Sequence, residues 1–303
     1  MTAKDKGDGR PLASRRARGH ALAMIVRRPI AIALAIVLAA ALALIGWSYR
    51  TALADPVVRR AELALLPTDA AVASLRLVLV SDIHVAGPDM PPARLDRLVA
   101  QINALAPDLV LMAGDFVSDK RVASRRYPLA QAIAPLASLK GRIGSFAVLG
   151  NHDHWRDAAT ARRELTKAGV TVLNNSAVRI GPLAIGGLDD AFTRHEDVGA
   201  TVAAMRRVGG VPILLSHSPD PFARLPDDIA LTLAGHTHCG QIRLPLVGAI
   251  AHMSEYGDRY ACGLVVERGR RLIVGAGVGT SLLPLRLGAV PDIWLITLTR
   301  APG

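Results

Sequence analysis

The chain has 303 residues, 51% hydrophobic and 20% charged, with a formal charge of +11. That balance excludes a disordered chain and a many-span transporter, and leaves room for one large domain or two small ones. Residues 1–54 carry nine Lys and Arg against Asp5 and Asp8, seven of the eleven surplus charges, and aromatics are only 4%. The basicity therefore belongs to a tail, and no nucleic-acid partner is expected.

In chain order, residues 1–29 form a basic cytoplasmic tail. Ile30–Trp47 (IAIALAIVLAAALALIGW) follows, 18 residues without a charge, close to the roughly 20 that cross a bilayer as a helix. A buried core helix is the competing reading of such a run. The arginines before it favour a cytoplasmic N-terminus, with everything beyond residue 50 outside. Residues 30–48 are thus expected to be a transmembrane anchor or uncleaved signal. Ala52-Leu53-Ala54 offers a small-residue site, so export with cleavage after Ala54 is the alternative. Arg15-Arg16 and Arg27-Arg28 lack an export consensus around them and count as ordinary positive-inside charge.

Residues 55–303 read as one domain. Val57–Leu66 predicts a strand, closed by a turn at Pro67–Asp69. Strands at Leu75–Val80, Leu109–Met112 and Ser145–Leu149 then alternate with helices at Ala93–Leu105, Leu129–Leu139 and Ala158–Ala168. The centre turns to short strands at Val170–Leu173, Ala177–Ile180 and Leu183–Ile185. A helix at Ala200–Arg207 follows, then strands at Val211–Leu215, Ile229–Leu233, Ala261–Val266, Arg271–Val274 and Ile293–Leu298. Alternation first and hairpins later predict a layered α/β sandwich with a second sheet. Cys239 and Cys262 are the two cysteines. An outward-facing domain permits a disulfide, but sequence gives no distance between them, so pairing stays open.

Five strand ends run into ligand-type residues: Asp82 and His84, Asp115, Asn151 to His154, His217, and His236 with His238. In open α/β sheets ligands gather beyond the carboxyl ends of strands. Asp oxygen and neutral imidazole suit borderline divalent metals. Asp82 and His84, two apart, face one ion if the chain there stays extended, and His236 and His238 repeat that spacing. Asp82, His84, Asp115, Asn151, His217, His236 and His238 are too many for one ion. They suit two ions roughly 3.5–4 Å apart, with Asp115 as the natural bridge.

Asp82-x-His84, Gly114-Asp115, Gly150-Asn151-His152-Asp153, His217 and Gly235-His236-Thr237-His238, spread over residues 75–238, resemble the ordered motifs of the calcineurin-like metallophosphoesterases. GQIRLP (240–245) and GTSLLPLRLGAVPDIWL (279–295) are similar to a membrane-associated bacterial branch that includes UDP-2,3-diacylglucosamine pyrophosphatase-type phosphodiesterases. The resemblance implies a four-layer α/β/β/α sandwich, here preceded by one N-terminal transmembrane helix. It implies two divalent ions (Mn, Fe, Zn or Co), one on Asp82, His84, Asp115 and His238, the other on Asp115, Asn151, His217 and His236. A metal-bridging hydroxide would attack phosphorus without a covalent enzyme intermediate. His152, left free of metal, would be the catalytic residue that stabilises phosphate oxygens or protonates the leaving oxygen.

Three departures bear on this. Many members carry Gly-Asp-x-x-Asp, the last acid orienting the histidine that matches His152; here Ser118 stands there, and Asp119, one place later, is the nearest carboxylate that could orient His152 after a small shift of the loop. Cys239 occupies a position where glycine is common and reads as a small buried side chain. The stretch GDFVS lacks a tyrosine, so Fe(III)–tyrosinate chemistry is not expected. His154 and Arg156 are additional candidates to meet substrate. The expected function is a membrane-anchored hydrolase of a phosphoester or pyrophosphate bond, in a bacterial inner membrane and facing the periplasm. Its substrate would be lipid-linked or a nucleotide-sugar-lipid. The alternatives are a broad small-molecule phosphodiesterase and, behind it, a catalytically inert metal-binding membrane protein, which the Ser118 departure keeps open.

Overall fold

The computed structural model describes residues 12–302, so the part of the basic tail before residue 12 lies outside the described residues. The chain divides into two compact units, Met1–Trp47 and Ser48–Gly303. Helix α1 (Leu12–Leu53) contains a stretch, Arg28–Leu53, long and apolar enough to cross a membrane. Its side chains at Ile36, Val37 and Leu38 are exposed, which is not how a buried core helix behaves.

The second unit holds two six-stranded sheets. The first is built from β1 (Val57–Leu66), β2 (Ser74–Val80), β3 (Leu109–Ala113), β4 (Gly144–Val148), β5 (Val170–Val172) and the late strand β14 (Asp292–Arg300), in the order β1-β14-β2-β3-β4-β5. Strands β2 to β5 run parallel, while β14 is antiparallel to β2. Between them in sequence come α2 (Pro92–Ala104), α3 (Leu129–Ile133) and α4 (Asn151–Lys167). The second sheet is built from β6 (Ser176–Ile180), β7 (Leu183–Gly187), β8 (Val211–Leu215), β9 (Leu231–Ala234), β12 (Gly263–Glu267) and β13 (Arg270–Val274). Its order is β12-β13-β9-β8-β7-β6, with α5 (Val198–Val208) between β7 and β8. A small separate hairpin pairs β10 (Arg243–Leu244) with β11 (Gly248–Ala249).

The side-chain alternation of β2 shows why the layers form. Leu75, Leu77 and Leu79 point into a core shared with Leu111, Ile185, Leu215 and Leu233, between the two sheets. Val78 and Val80 point the other way, into a core completed by Leu95, Leu98, Ile133 and Leu165 of α2, α3 and α4. A strand buried on both faces reads as a continuous apolar run rather than an alternation. On the far side, Val202 and Met205 of α5 pack on Leu214 and Leu272. The result is the four-layer α/β/β/α sandwich.

Two helices differ from the sequence reading. The helix expected over Leu129–Leu139 ends as α3 at Ile133 and continues as a 3-10 turn, Ala134–Ser138. Pro135 has no N–H to extend the α-helical ladder. The helix expected from Ala158 is preceded by an extra turn from Asn151, and the two parts meet at Asp157, whose backbone is extended. The Asp157 carboxylate accepts from the Thr160 N–H and hydroxyl, an N-cap that restarts the helix. The turn Asn151–Arg156 is thereby set apart from the rest of α4.

Candidate metal centre

Strands β2, β3 and β4 are neighbours and parallel, as are β8 and β9, so each sheet collects its carboxyl ends along one edge. The loops that leave those ends turn sharply. Asp82, His84, Asp115, His236 and His238 all have φ between 51° and 70°, a left-handed conformation that costs a non-glycine residue about 1–2 kcal/mol. A hydrogen-bond lattice holds them there. Asp82 N–H donates to Gly114 O and His84 N–H to Asp115 O, lacing two loops together. The Asp82 carboxylate accepts from His236 N–H at 3.0 Å, tying the first sheet's loop to the second's. Gly235 permits this approach: a β-carbon there would stand 2.5 Å from Asp82 Oδ2.

Asp153 has the largest share in this lattice, and sequence reasoning assigned it no task. Its buried carboxylate accepts from the N–H groups of Asp115 and Phe116 at 2.9 Å and from Gly150 at 3.0 Å. Burial and the neighbouring Asp115 push its pKa up to about 7, against the pull of those N–H groups. The clue available in sequence was its place in Gly-Asn-His-Asp, directly after the ligand-type residues.

All seven sequence-predicted ligands are buried and meet in one cluster. Asp115 Oδ2 lies 3.4 Å from His84 Nε2 and 3.3 Å from His217 Nε2. On one side, His84 Nε2 is 3.1 Å from His238 Nε2, which is 3.6 Å from Asp82 Oδ1. On the other, His217 Nε2 is 3.1 Å from both Asn151 Oδ1 and His236 Nδ1. Donor atoms about 2.0–2.2 Å from a shared ion stand about 3.0–3.6 Å from one another, so these separations are compatible with ligands around a cation.

The donor chemistry fits as well. His217 Nδ1 donates to Ala113 O at 2.7 Å, turning its Nε2 towards the acceptor oxygens of Asn151 and Asp115. Acceptors facing acceptors in a buried site need a proton or a cation between them. Without a metal the field recruits a proton: burial pulls His217 down, but Asp115 and Asp82 outweigh it and hold it well above the usual imidazole range. Asp115 correspondingly lies well below the carboxylate range, with His217 and His84 overcoming its burial. Burial drives His84 and His238 well below the imidazole range, and His236 down to about 3. Those three rings are neutral, the state in which imidazole ligates. Burial raises Asp82 to about 6, with His217 opposing.

His152 sits at the edge of the cluster. Its ligand atom groups with those of His84 and Asp115 within 4.8 Å, so proximity alone does not set it apart from the ligands. Its hydrogen bonds do. Its N–H donates to Asp115 Oδ1 at 2.9 Å, and its Nδ1 is paired with the Asp119 carboxylate. Ser118 does not take that part: its hydroxyl accepts from the Lys120 N–H at 3.2 Å. His154 is engaged by Asp189 at 2.8 Å, and Arg156 donates to Tyr127 O. The structure thus gives both of these candidates protein partners.

Two features lie behind His238, and the first of them, Arg286, was not read from sequence. Arg286 is fully buried and donates to the carbonyls of Ala276, Gly277, Gly279 and Ala289, with its Nη2 3.3 Å from His238 Nδ1. Burial lowers its pKa to about 10, so it stays charged at neutral pH. Cys239 is buried, as expected, and is disulfide-bonded to Cys262, which answers the pairing that sequence left open. A cavity of about 610 Å³ opens over the cluster. Asp115, Asn151, His152, His236 and His238 form its polar floor, and Ile242, Ile250, Met253, Leu282 and Leu283 line an apolar wall.

A family model described as calcineurin-like phosphoesterase matches residues 75–240. A transmembrane protein with metallophosphoesterase domain from Danio rerio is 31% identical over 287 residues, covering 88% of this chain and 62% of that protein. The uncharacterized metallophosphoesterase YkuE of Bacillus subtilis is 32% identical over 232 residues, covering 74% of this chain and 78% of that protein. An uncharacterized metallophosphoesterase of Aquifex aeolicus is 34% identical over 235 residues, covering 74% and 85%. The chain spans less than two thirds of the zebrafish protein's length.

Proposed function

The chain belongs to the calcineurin-like phosphoesterases, a family of metal-dependent phosphoester hydrolases, and from that premise we propose a membrane-anchored dinuclear enzyme that cleaves a phosphodiester or pyrophosphate bond. One observation carries the reading: Asp115 Oδ2 stands between His84 and His217, at 3.4 and 3.3 Å, where a shared carboxylate oxygen belongs. One cation would rest on Asp82, His84, Asp115 and His238, the other on Asp115, Asn151, His217 and His236. Mn, Fe, Zn and Co all suit that mixed oxygen and imidazole set. Such a pair, when bound, supplies Lewis-acid chemistry, activating water and offsetting phosphoryl charge.

The chain's own residues do the rest. Asp153 holds the Asp115 loop and Gly150 in register, so the shared carboxylate is fixed before substrate arrives. His152 is the proton donor: Asp119 holds its Nδ1, and the other ring nitrogen is left to serve a phosphoryl or leaving oxygen. That pairing supports turnover despite Ser118 at the usual acid position. The apolar wall above a polar floor suits a phosphoester bearing an acyl chain, which supports a lipid-linked or nucleotide-sugar-lipid substrate.

Anchoring through α1 fits the start of the catalytic unit better than cleavage after Ala54. Buried Arg94 donates at 2.8 Å to the carbonyls of Ala52, Asp89 and Ala54. Cutting after Ala54 would strip two of those acceptors from a buried guanidinium. The disulfide supports an oxidising compartment for this unit, the periplasmic side of a bacterial inner membrane. The test is turnover by the purified full chain, with added Mn²⁺, of aryl phosphodiesters, phosphomonoesters and a lipid-linked pyrophosphate. The reading expects diester or pyrophosphate cleavage that Asp115→Asn abolishes; no turnover with any divalent metal would overturn it.

A further inference from the structure

We propose that the rim of the cavity is a membrane-docking surface, a pair of apolar loop tips that dip into the bilayer beside the metal centre. The first tip is the turn of the β10–β11 hairpin, where Leu246 is 108% and Val247 72% exposed. The second is the loop at Leu282 and Leu283, with Leu282 73% exposed. Side chains so exposed touch little of their own domain, and soluble surfaces rarely gather large aliphatics in this way.

Hydrogen bonds join the two tips into one rim. Gln241 Nε2 donates to Leu283 O and Leu285 O, while its Oε1 accepts from Ser281 N–H. Arg243 N–H donates to Leu287 O, and Ile250 N–H to Ile242 O closes the hairpin base. Ile242, Ile250, Leu282 and Leu283 also line the cavity over the metal cluster. The apolar rim is therefore continuous with the wall that leads down to the ligands.

A lipid surface is the occupant that three observations favour. The same chain carries a helix of membrane-crossing length and composition, and only Ala54–Pro56 separate its end from β1. A tether that short keeps the catalytic unit at high effective concentration near a bilayer. Exposed Arg121 lies on the same cavity beside half-exposed Val122, a basic group flanking apolar ones, as anionic headgroups over acyl chains would require. Apolar tips at the mouth of a phosphoester site also let a headgroup reach the cavity without its chains crossing water. The inference goes beyond the proposed reaction and rests on α1 lying in a membrane; it does not depend on which bond is cleaved.

The test uses the full chain reconstituted in phosphatidylcholine–phosphatidylglycerol vesicles. Leu246→Cys, Leu283→Cys and, in the turn at the amino end of β2, Asp69→Cys each carry one environment-sensitive fluorophore; the native cysteines are paired and do not compete. The expected result is blue-shifted emission at 246 and 283 that lipid-borne nitroxide quenches to a small fraction, with label 69 unaffected. Emission at 246 that nitroxide lipids leave intact overturns the proposal, whether the label is then in water or covered by a second copy. As a second readout, Leu246→Asp with Val247→Asp should raise KM for a vesicle-embedded substrate at least tenfold and leave a soluble aryl phosphodiester unaffected. A wild-type KM for the vesicle-embedded substrate in that variant also overturns it. Complete inactivity of wild type would sink the hydrolase reading instead, and the quenching result would stand apart from it.

Discussion

Asp119 pairs with Nδ1 of His152 from one residue beyond the place where the family motif carries its acid. The loop accommodates the shift because Ser118 is buried and caps the following turn through Lys120 N–H. Asp119→Asn should lower kcat about 10–100-fold, as loss of an orienting carboxylate does, while metal content and KM hold. The pH–rate profile should move with it, which a merely structural role would not produce. Ser118→Ala should stay near wild type; an Asp119→Asn enzyme with wild-type kcat and profile would return Asp119 to solvent.

Much of the candidate site was legible because its ligand-type residues follow apolar strands directly, and strand ends in parallel sheets are where a chain can present side chains to a common centre. The register of the Asp119 shift was visible too, as the nearest carboxylate to an unfilled position. Other features were hidden for physical reasons. Asp153 works on backbone N–H groups 37 residues away, so no local pattern announces it. Arg286 answers to carbonyls brought in by the fold, and a lone arginine in an apolar loop looks like surface. The β10–β11 hairpin has two-residue strands, too short for any periodicity. Pro135 and Asp157 were both in plain view, yet the hydrophobic pattern passed over them, and each decided how its helix broke.

The Arg94 clamp predicts a cost if it is cut. Arg94→Met keeps the apolar stem and leaves the carbonyls of Ala52, Asp89 and Ala54 without their donor. The expected loss is about 2–4 kcal/mol, from buried acceptors left unpaired, read as a lower thermal midpoint in detergent. Sequencing the mature N-terminus from membranes checks the same account, which expects α1 to be retained. A chain starting at Asp55 would contradict it.

The disulfide sits directly after His238 and closes a 23-residue separation to Cys262. A loop of that size constrains the unfolded chain by about 3 kcal/mol. Replacing both cysteines by alanine should lower stability by that order and weaken metal binding through the loosened His238 turn. Reductant should do the same to wild type and nothing further to the double variant.

His154 and Asp189 give a pH signature. The hydrogen bond to Asp189 raises His154 above its ordinary range, and for Asp189 that bond and charge outweigh burial and lower it. The His154 contribution is full below the unfolded histidine pKa and fades as pH rises through the raised folded value. The Asp189 contribution is present above the ordinary carboxylate range and fades as pH falls through its lowered value. His154→Gln should therefore cost on the order of 1 kcal/mol near pH 5, allowing for solvent screening at the rim, and less near pH 9. Denaturation midpoints at the two pH values measure it, and an equal loss at both would remove the pair from the account.

In the proposed centre both cations share Asp115, whose Oδ2 lies between His84 and His217. Metal content and turnover, measured on the same preparations of wild type and Asp115→Asn, test it most directly. The prediction is two divalent ions per active wild-type chain, with at least one lost and turnover abolished in Asp115→Asn. Wild-type metal content and turnover in Asp115→Asn would contradict it.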